Sequence, residues 1–137
     1  FAVVWSTDIA AYFAGRKIGG PKLMPRVSPN KTWSGALGGL VGAVAAGTMV
    51  PVVADLAGMT LPSAASLPVV AGVSALASVL SQAGDLIESG LKRHYGVKDS
   101  GKIIPGHGGV MDRLDGFFAV ALLAAVYLAL RGGGLIA

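Results

Sequence analysis

The sequence predicts an all-α, polytopic membrane protein with about four transmembrane helices and two basic cytoplasmic loops. Of its 137 residues, 53% are hydrophobic and only 13% are charged, whereas a soluble domain carries about 25% charged residues. Residues 32–54 and 56–84 contain no charged side chain at all. Each stretch exceeds the about 20 residues that a helix needs to cross ~30 Å of hydrocarbon. The composition therefore excludes an ordinary water-soluble globule and a disordered chain.

Four membrane segments follow in chain order, at residues 1–15, 34–58, 63–89 and 112–130. These runs lack the alternating pattern of barrel strands, so helices are the structure that satisfies their backbone in lipid. The first segment is apolar apart from Asp8, and no basic region precedes it, which disfavours a secretory signal. Pro51 predicts a kink in the second segment, and Pro68 fits the first turn of the third.

Glycines recur at a spacing of four in the second segment, as Gly35 with Gly39 and as Gly38 with Gly42. Small residues at this spacing let helices approach closely in lipid. We favour packing of helices within the chain. A homodimer through the same small residues is the alternative.

Ten of the eleven Lys and Arg residues fall into two blocks. The first comprises Arg16, Lys17, Lys22, Arg26 and Lys31, and the second comprises Lys92, Arg93, Lys98, Lys102 and Arg113. Two crossings separate the blocks, so both emerge on one face, and the excess of basic residues assigns that face to the cytoplasm. Because the bases flank membrane segments, the net charge of +4 indicates contact with the lipid bilayer and no nucleic-acid partner.

Carboxylates are concentrated beside the second basic block. Asp85 and Glu88 are three residues apart, as are Asp112 and Asp115, so each pair shares a helical face. Ionisable residues at membrane depth usually mark a functional site.

Three of these carboxylates, Asp85, Asp112 and Asp115, are candidate ligands of Mg²⁺, which prefers oxygen. The chain has no Cys and only two His residues, so no set of soft ligands competes. The alternative is structural: the carboxylates pair with Arg93 and Arg113, or cap a helix start.

The glycine-rich residues 105–109 directly precede the fourth segment. Unpaired N–H groups at a helix start favour an anion, which makes His107, Gly108 and Gly109 candidate phosphate ligands. A plain loop is the alternative. The bases of the second block are candidates for the same role, with anchoring to anionic lipid as their alternative.

Residues 89–115 resemble the signature of the phosphatidate cytidylyltransferases, the CDP-diacylglycerol synthases. The matching pattern is Ser89-x-x-Lys92-Arg93-x4-Lys98-Asp99-x-Gly101-x-x-Ile104-Pro105-Gly106-His107-Gly108-Gly109-x-x-Asp112-Arg113-Leu114-Asp115. Two upstream runs are also similar to the family, Asp8-x-x-Ala11-Tyr12-x-x-Gly15-Arg16-x-x-Gly19 and Lys22-x-x-Pro25-x-x-Ser28-Pro29-x-Lys31-Thr32-Trp33. One departure is Ser34, where the family pattern usually continues with Glu.

The resemblance implies transfer of a cytidylyl group from CTP to phosphatidic acid, which gives CDP-diacylglycerol and pyrophosphate. It implies Mg²⁺ on the three aspartates, with a second, monovalent cation left open. Lys92, Arg93, Lys98 and Arg113 would neutralise phosphate charge, and Lys31 with the Ser28-Pro29 turn would contribute from the first loop. We expect the C-terminal catalytic part of a protein of the bacterial inner (plasma) membrane, with further helices before Phe1 and the active site facing the cytoplasm.

Two other functions are left open by the sequence. A CTP-dependent lipid or polyprenol kinase would bind the same nucleotide but transfer the γ-phosphoryl group to an alcohol. A non-catalytic membrane subunit would use the basic loops to bind anionic lipid and would need no aspartate triad.

Overall fold

The computed structural model describes residues 1–59, 66–96, 117, 118, 120–122 and 124–126. Its elements are α1 (Ala2–Ile18), β1 (Lys22–Met24), β2 (Ser28–Thr32), α2 (Trp33–Leu56) and α3 (Leu67–His94). The described residues between 117 and 126 are helical. The chain divides into two compact units, Phe1–Val79 and Leu80–Ala137, so α3 contributes to both. The structure is mostly helical, as predicted.

Two of the described helices, α2 and α3, are long and apolar enough to cross a membrane. Their 24 and 28 residues correspond to about 36 and 42 Å at 1.5 Å per residue. Large apolar side chains are exposed along both helices, among them Leu37, Val41, Val53, Val69, Val73 and Leu76. Such a surface suits hydrocarbon rather than water. Helix α1 has 17 residues, fewer than the about 20 that a membrane-spanning helix usually needs. The fourth predicted segment lies mostly outside the described residues. The count of four crossings therefore stays a prediction.

Helices α1 and α2 pack antiparallel through small residues. A methyl group placed at Gly39 would lie 3.0 Å from the Thr7 carbonyl oxygen and 3.2 Å from Ala11 Cβ. One turn along, a methyl group at Gly42 would lie 2.5 Å from Ala10 Cβ. The glycines thus allow the two backbones to come together, which confirms that these residues pack helices within the chain.

A buried polar contact joins α1 to the part of α3 that lies within the first unit. Thr7 is fully buried, and its Oγ1 lies 2.8 Å from the Val3 carbonyl oxygen and 3.2 Å from Ser78 Oγ. Ser74 is buried beside Gly47 of α2. Among the described residues, every buried side-chain nitrogen or oxygen has a hydrogen-bond partner. In lipid, no hydrophobic driving force favours the association of helices. Hydrogen bonds between hydroxyl groups therefore contribute to the packing of these helices.

The first basic loop contains an antiparallel hairpin, so the all-helical prediction is wrong at this point. Gly19 and Gly20 end α1 with positive φ angles of 66° and 103°, which glycine adopts without strain. The chain reverses at residues 25–27, where the Val27 N–H donates to the Met24 carbonyl at 3.1 Å. The predicted Ser28-Pro29 turn instead lies in β2.

Helix α3 begins at Leu67, later than the predicted residue 63, and runs further than the segment assigned to it. Pro68 lies in its first turn, where a missing N–H costs nothing. The helix continues past residue 89 to His94 because basic residues in its last turn offset the dipole and Lys92 pairs with Glu88. Gly96, with φ 68°, follows its end. Helix α2 contains Pro51 and ends at Leu56.

Candidate active site

One face of α3 carries three of the charged side chains at the candidate site. Asp85, Glu88 and Lys92 occupy positions i, i+3 and i+7, which lie above one another on a helix. All three side chains are half-buried. Lys92 Nζ lies 3.2 Å from Glu88 Oε1. The ion pair holds the ammonium group in place on this face of α3.

The position of Asp85 differs from the one that the sequence predicted. It was expected near the end of its helix, but α3 continues for nine more residues to His94, a distance of roughly 13 Å. The carboxylate therefore lies well inside the helix.

Arg93 does not share a face with Lys92. Consecutive helical residues point about 100° apart, and Arg93 is exposed whereas Lys92 is half-buried. Glu88, on the same face as Asp85, forms its ion pair with Lys92. Lys92 and Arg93 therefore lie in different surroundings, and the role of each must be tested separately.

Strand β2 carries the candidate residues of the first loop. Ser28 and Lys31 are half-buried, while Pro29 and Asn30 between them are exposed. The paired residues are two apart on β1 but four apart on β2, so β2 bulges in the stretch that holds Lys31. Bulges redirect side chains and are common beside functional sites.

Sequence reasoning missed a set of hydrogen bonds at the start of α2. Thr32 Oγ1 accepts from the Gly35 N–H at 3.1 Å and lies 3.0 Å from Ser34 Oγ. Ser34 Oγ in turn donates to the Gly19 carbonyl. The sequence did carry a signal for the first of these bonds, because Thr directly before an apolar helical run is a favoured N-cap.

The remaining candidate residues lie outside the described residues. They are Lys98, His107, Gly108, Gly109, Asp112, Arg113 and Asp115. In the part of the chain that the structure describes, no three His, Cys, Asp or Glu side chains form a group that could hold a metal ion. The aspartate triad and the phosphate loop therefore stay predictions.

Comparison with known proteins connects these features to one family. Residues 1–131 match the model of the cytidylyltransferase family. The phosphatidate cytidylyltransferase of Brucella suis biovar 1 is 58% identical over 127 residues, and that of Bacillus subtilis is 48% identical over 128 residues. Both matches cover 93% of this chain, which spans only 44% and 45% of those two relatives. The chain belongs to the cytidylyltransferase family.

Proposed function

We propose that the complete protein transfers the cytidylyl group of CTP to the phosphate of phosphatidic acid and releases pyrophosphate. The observation that carries this proposal is the 58% and 48% identity to proteins named phosphatidate cytidylyltransferase, which extends over 93% of the chain. Two long apolar helices support it further, because a lipid substrate is most easily reached from within a membrane.

The reaction is a displacement at the α-phosphorus of CTP. An oxygen of the lipid phosphate attacks in line, a new P–O–P bond forms, and the bond to the pyrophosphate leaving group breaks. A phosphate monoester is largely ionised near neutral pH, so the attacking oxygen needs no strong general base. Catalysis then consists mainly of positioning two phosphates and of stabilising their charge.

The basic residues supply that positioning and charge. Lys92 is oriented by Glu88 at 3.2 Å, and its ammonium group would form a charge-assisted hydrogen bond to a phosphate. Lys31 would reach the substrates from β2, the strand that also carries Ser28. Arg93, Lys98 and Arg113 complete the set, and the phosphate loop would be formed by His107, Gly108 and Gly109.

The three aspartates fit a hard cation by their chemistry. Asp85 is a half-buried carboxylate inside α3, and with Asp112 and Asp115 it makes an all-oxygen set, which Mg²⁺ prefers. Bound there, Mg²⁺ would offset the charge of the phosphates.

The products of CTP labelled at two positions test this function. Membranes containing the complete protein are incubated with phosphatidic acid and with CTP labelled at either the α- or the γ-phosphorus. We expect the α-label in the lipid and the γ-label in pyrophosphate. A γ-label in the lipid with release of CDP would identify a kinase instead, and no transfer of either label would favour a non-catalytic subunit.

Cysteine labelling tests the topology. Because the chain has no Cys, single Lys22→Cys and Lys98→Cys variants give an unambiguous signal. Helices α2 and α3 separate the two positions, so we expect an impermeant maleimide to label both from the cytoplasmic side. An Asp55→Cys variant, in the last turn of α2, should react from the opposite side. Labelling of positions 22 and 98 from opposite faces would contradict this topology.

Exchange of Arg93 for Lys separates phosphate binding from membrane anchoring. If Arg93 binds phosphate, Arg93→Lys should lower kcat/KM about ten-fold, because an ammonium group cannot reproduce the two parallel bonds of a guanidinium group. If it only anchors the helix end to anionic lipid, the retained charge should keep activity unchanged. The control is Arg26→Lys at the exposed tip of the hairpin, where the same exchange should be silent.

A further inference from the structure

Three hydrogen bonds form a relay at the base of the hairpin. The Gly35 N–H donates to Thr32 Oγ1 at 3.1 Å, Thr32 Oγ1 lies 3.0 Å from Ser34 Oγ, and Ser34 Oγ donates to the Gly19 carbonyl. Each hydroxyl has one hydrogen. Since the hydrogen of Ser34 goes to Gly19, Thr32 must donate to Ser34. The direction of the whole relay is thereby fixed, and bonds in such a chain strengthen one another.

The relay connects three elements of the first unit. Gly19 directly follows α1, Thr32 ends β2, and Ser34 and Gly35 lie in the first turn of α2. Thr32 is only 5% exposed. Beside the relay, the Trp33 N–H donates to the Pro21 carbonyl at 3.1 Å. Both ends of the hairpin are thus tied to the packed ends of α1 and α2.

We propose that Ser34 is a positioning residue that sets the hairpin, and with it Lys31, relative to the ends of α1 and α2. Lys31 lies three residues before Ser34, in the bulged part of β2. A bulged two-stranded ribbon is marginally stable without support, so its geometry depends on what holds its base. The part of the proposal that concerns Lys31 and phosphate rests on the function proposed above, whereas the part that concerns the hairpin does not.

The relay requires a donor at position 34. An ionised carboxylate accepts hydrogen bonds but has no hydrogen to give. A Glu side chain at position 34 therefore has no hydrogen to donate to the Gly19 carbonyl. Ser34→Glu should therefore break the relay, although Glu is the usual residue in the family pattern.

Hydrogen exchange measures the hairpin without any substrate. In the complete protein, Ser34→Ala is expected to speed amide exchange at least about three-fold in residues 20–33, since one neutral hydrogen bond is lost, and to leave residues 40–55 unchanged. Ser34→Thr, which keeps the hydroxyl, should restore slow exchange, and Ser34→Glu should not. The matched control is Thr48→Val, which also removes a hydroxyl group. Among the described residues, the Thr48 hydroxyl bonds only to carbonyl groups of its own helix, at 2.8 and 3.1 Å. Unchanged exchange in Ser34→Ala would overturn the proposal.

A double-mutant cycle measures the connection to Lys31. Ser34→Ala should lower kcat/KM about three- to ten-fold in the parent, but less than about two-fold when Lys31→Arg is already present, because the two changes affect the same contact. Ser34→Thr should recover the parent value. Equal losses in both backgrounds would overturn the role of Lys31. If the parent itself transfers no cytidylyl group, the proposed function fails while the exchange result still decides the role of Ser34 in the hairpin.

Discussion

Replacing Asp112 or Asp115 with Asn in the complete protein is expected to lower turnover more than about 100-fold while the protein still inserts into the membrane. Asn keeps the size of the side chain but removes the charge that a hard cation needs. Loss of groups that merely orient metal ligands costs 10- to 100-fold, so loss of a ligand should cost more. The measurement is the rate of cytidylyl transfer at saturating and at limiting Mg²⁺.

Asp85→Asn should behave in the same way, and the structure adds a control for it. Glu88→Gln, one turn further along α3, breaks the ion pair with Lys92 but removes none of the predicted metal ligands. Its effect should be smaller and should not depend on the Mg²⁺ concentration. Asp55→Asn, an exposed residue near the end of α2, should leave turnover unchanged. Near-normal activity of the Asp112 and Asp115 variants at limiting Mg²⁺ would refute the metal site.

The long helices were predictable because the hydrocarbon core of a membrane offers the backbone no hydrogen-bond partners. A chain without charges for more than 20 residues must satisfy its own backbone, and this alone locates α2 and most of α3. The end of α3 was predicted five residues too early. Charged residues after residue 84 indicate the end of the apolar run, but helix formation continues wherever charges can pair along the helix, as Glu88 and Lys92 do.

The hairpin could not be predicted from its own residues. Its strands contain Lys, Asn and Pro and lack the alternation of apolar and polar side chains that indicates strands. Its contacts come from elsewhere, through the Trp33 N–H to Pro21 and through Ser34 to Gly19. The sequence likewise predicted that glycines of α2 would pack against a helix, but it could not identify α1 as the partner.

The charged residues that share one face of α3 were only partly predictable from the sequence. Spacing alone placed Asp85 and Glu88 on one face, but no ion-pair partner of Glu88 was predicted. Arg93 follows Glu88 by five residues and is rotated from it by about 140° around the helix axis. Lys92 follows Glu88 by four residues and is rotated by only about 40°. Lys92 is therefore the natural partner, and the observed distance of 3.2 Å agrees.

Gly42→Ala is expected to destabilise the protein by about 1–3 kcal/mol, which is the usual cost of overpacking a tight interface. The added methyl group would lie 2.5 Å from Ala10 Cβ and 3.0 Å from the Ser6 carbonyl oxygen. One of the contacts is a backbone atom of α1, so the neighbouring chain cannot simply rotate a side chain away. The helices would have to separate, and Gly42→Leu should cost more still. Thermal unfolding of the purified protein in lipid–detergent micelles measures both variants.

Gly72→Ala is the matched control, because it makes the same chemical change in a helix that leaves room for it. Gly72 is exposed on α3, and beyond the backbone of its own helix a methyl group there would have no atom of the described residues within 4 Å. Ala is favoured over Gly in a helix by about 1 kcal/mol, so this variant should unfold at a higher temperature than the parent. Ala is favoured over Gly at position 42 by the same helix propensity. A net loss of stability in Gly42→Ala therefore reports the contact with α1. If Gly42→Ala also raised the unfolding temperature, the close approach of α1 and α2 at Gly42 would be refuted.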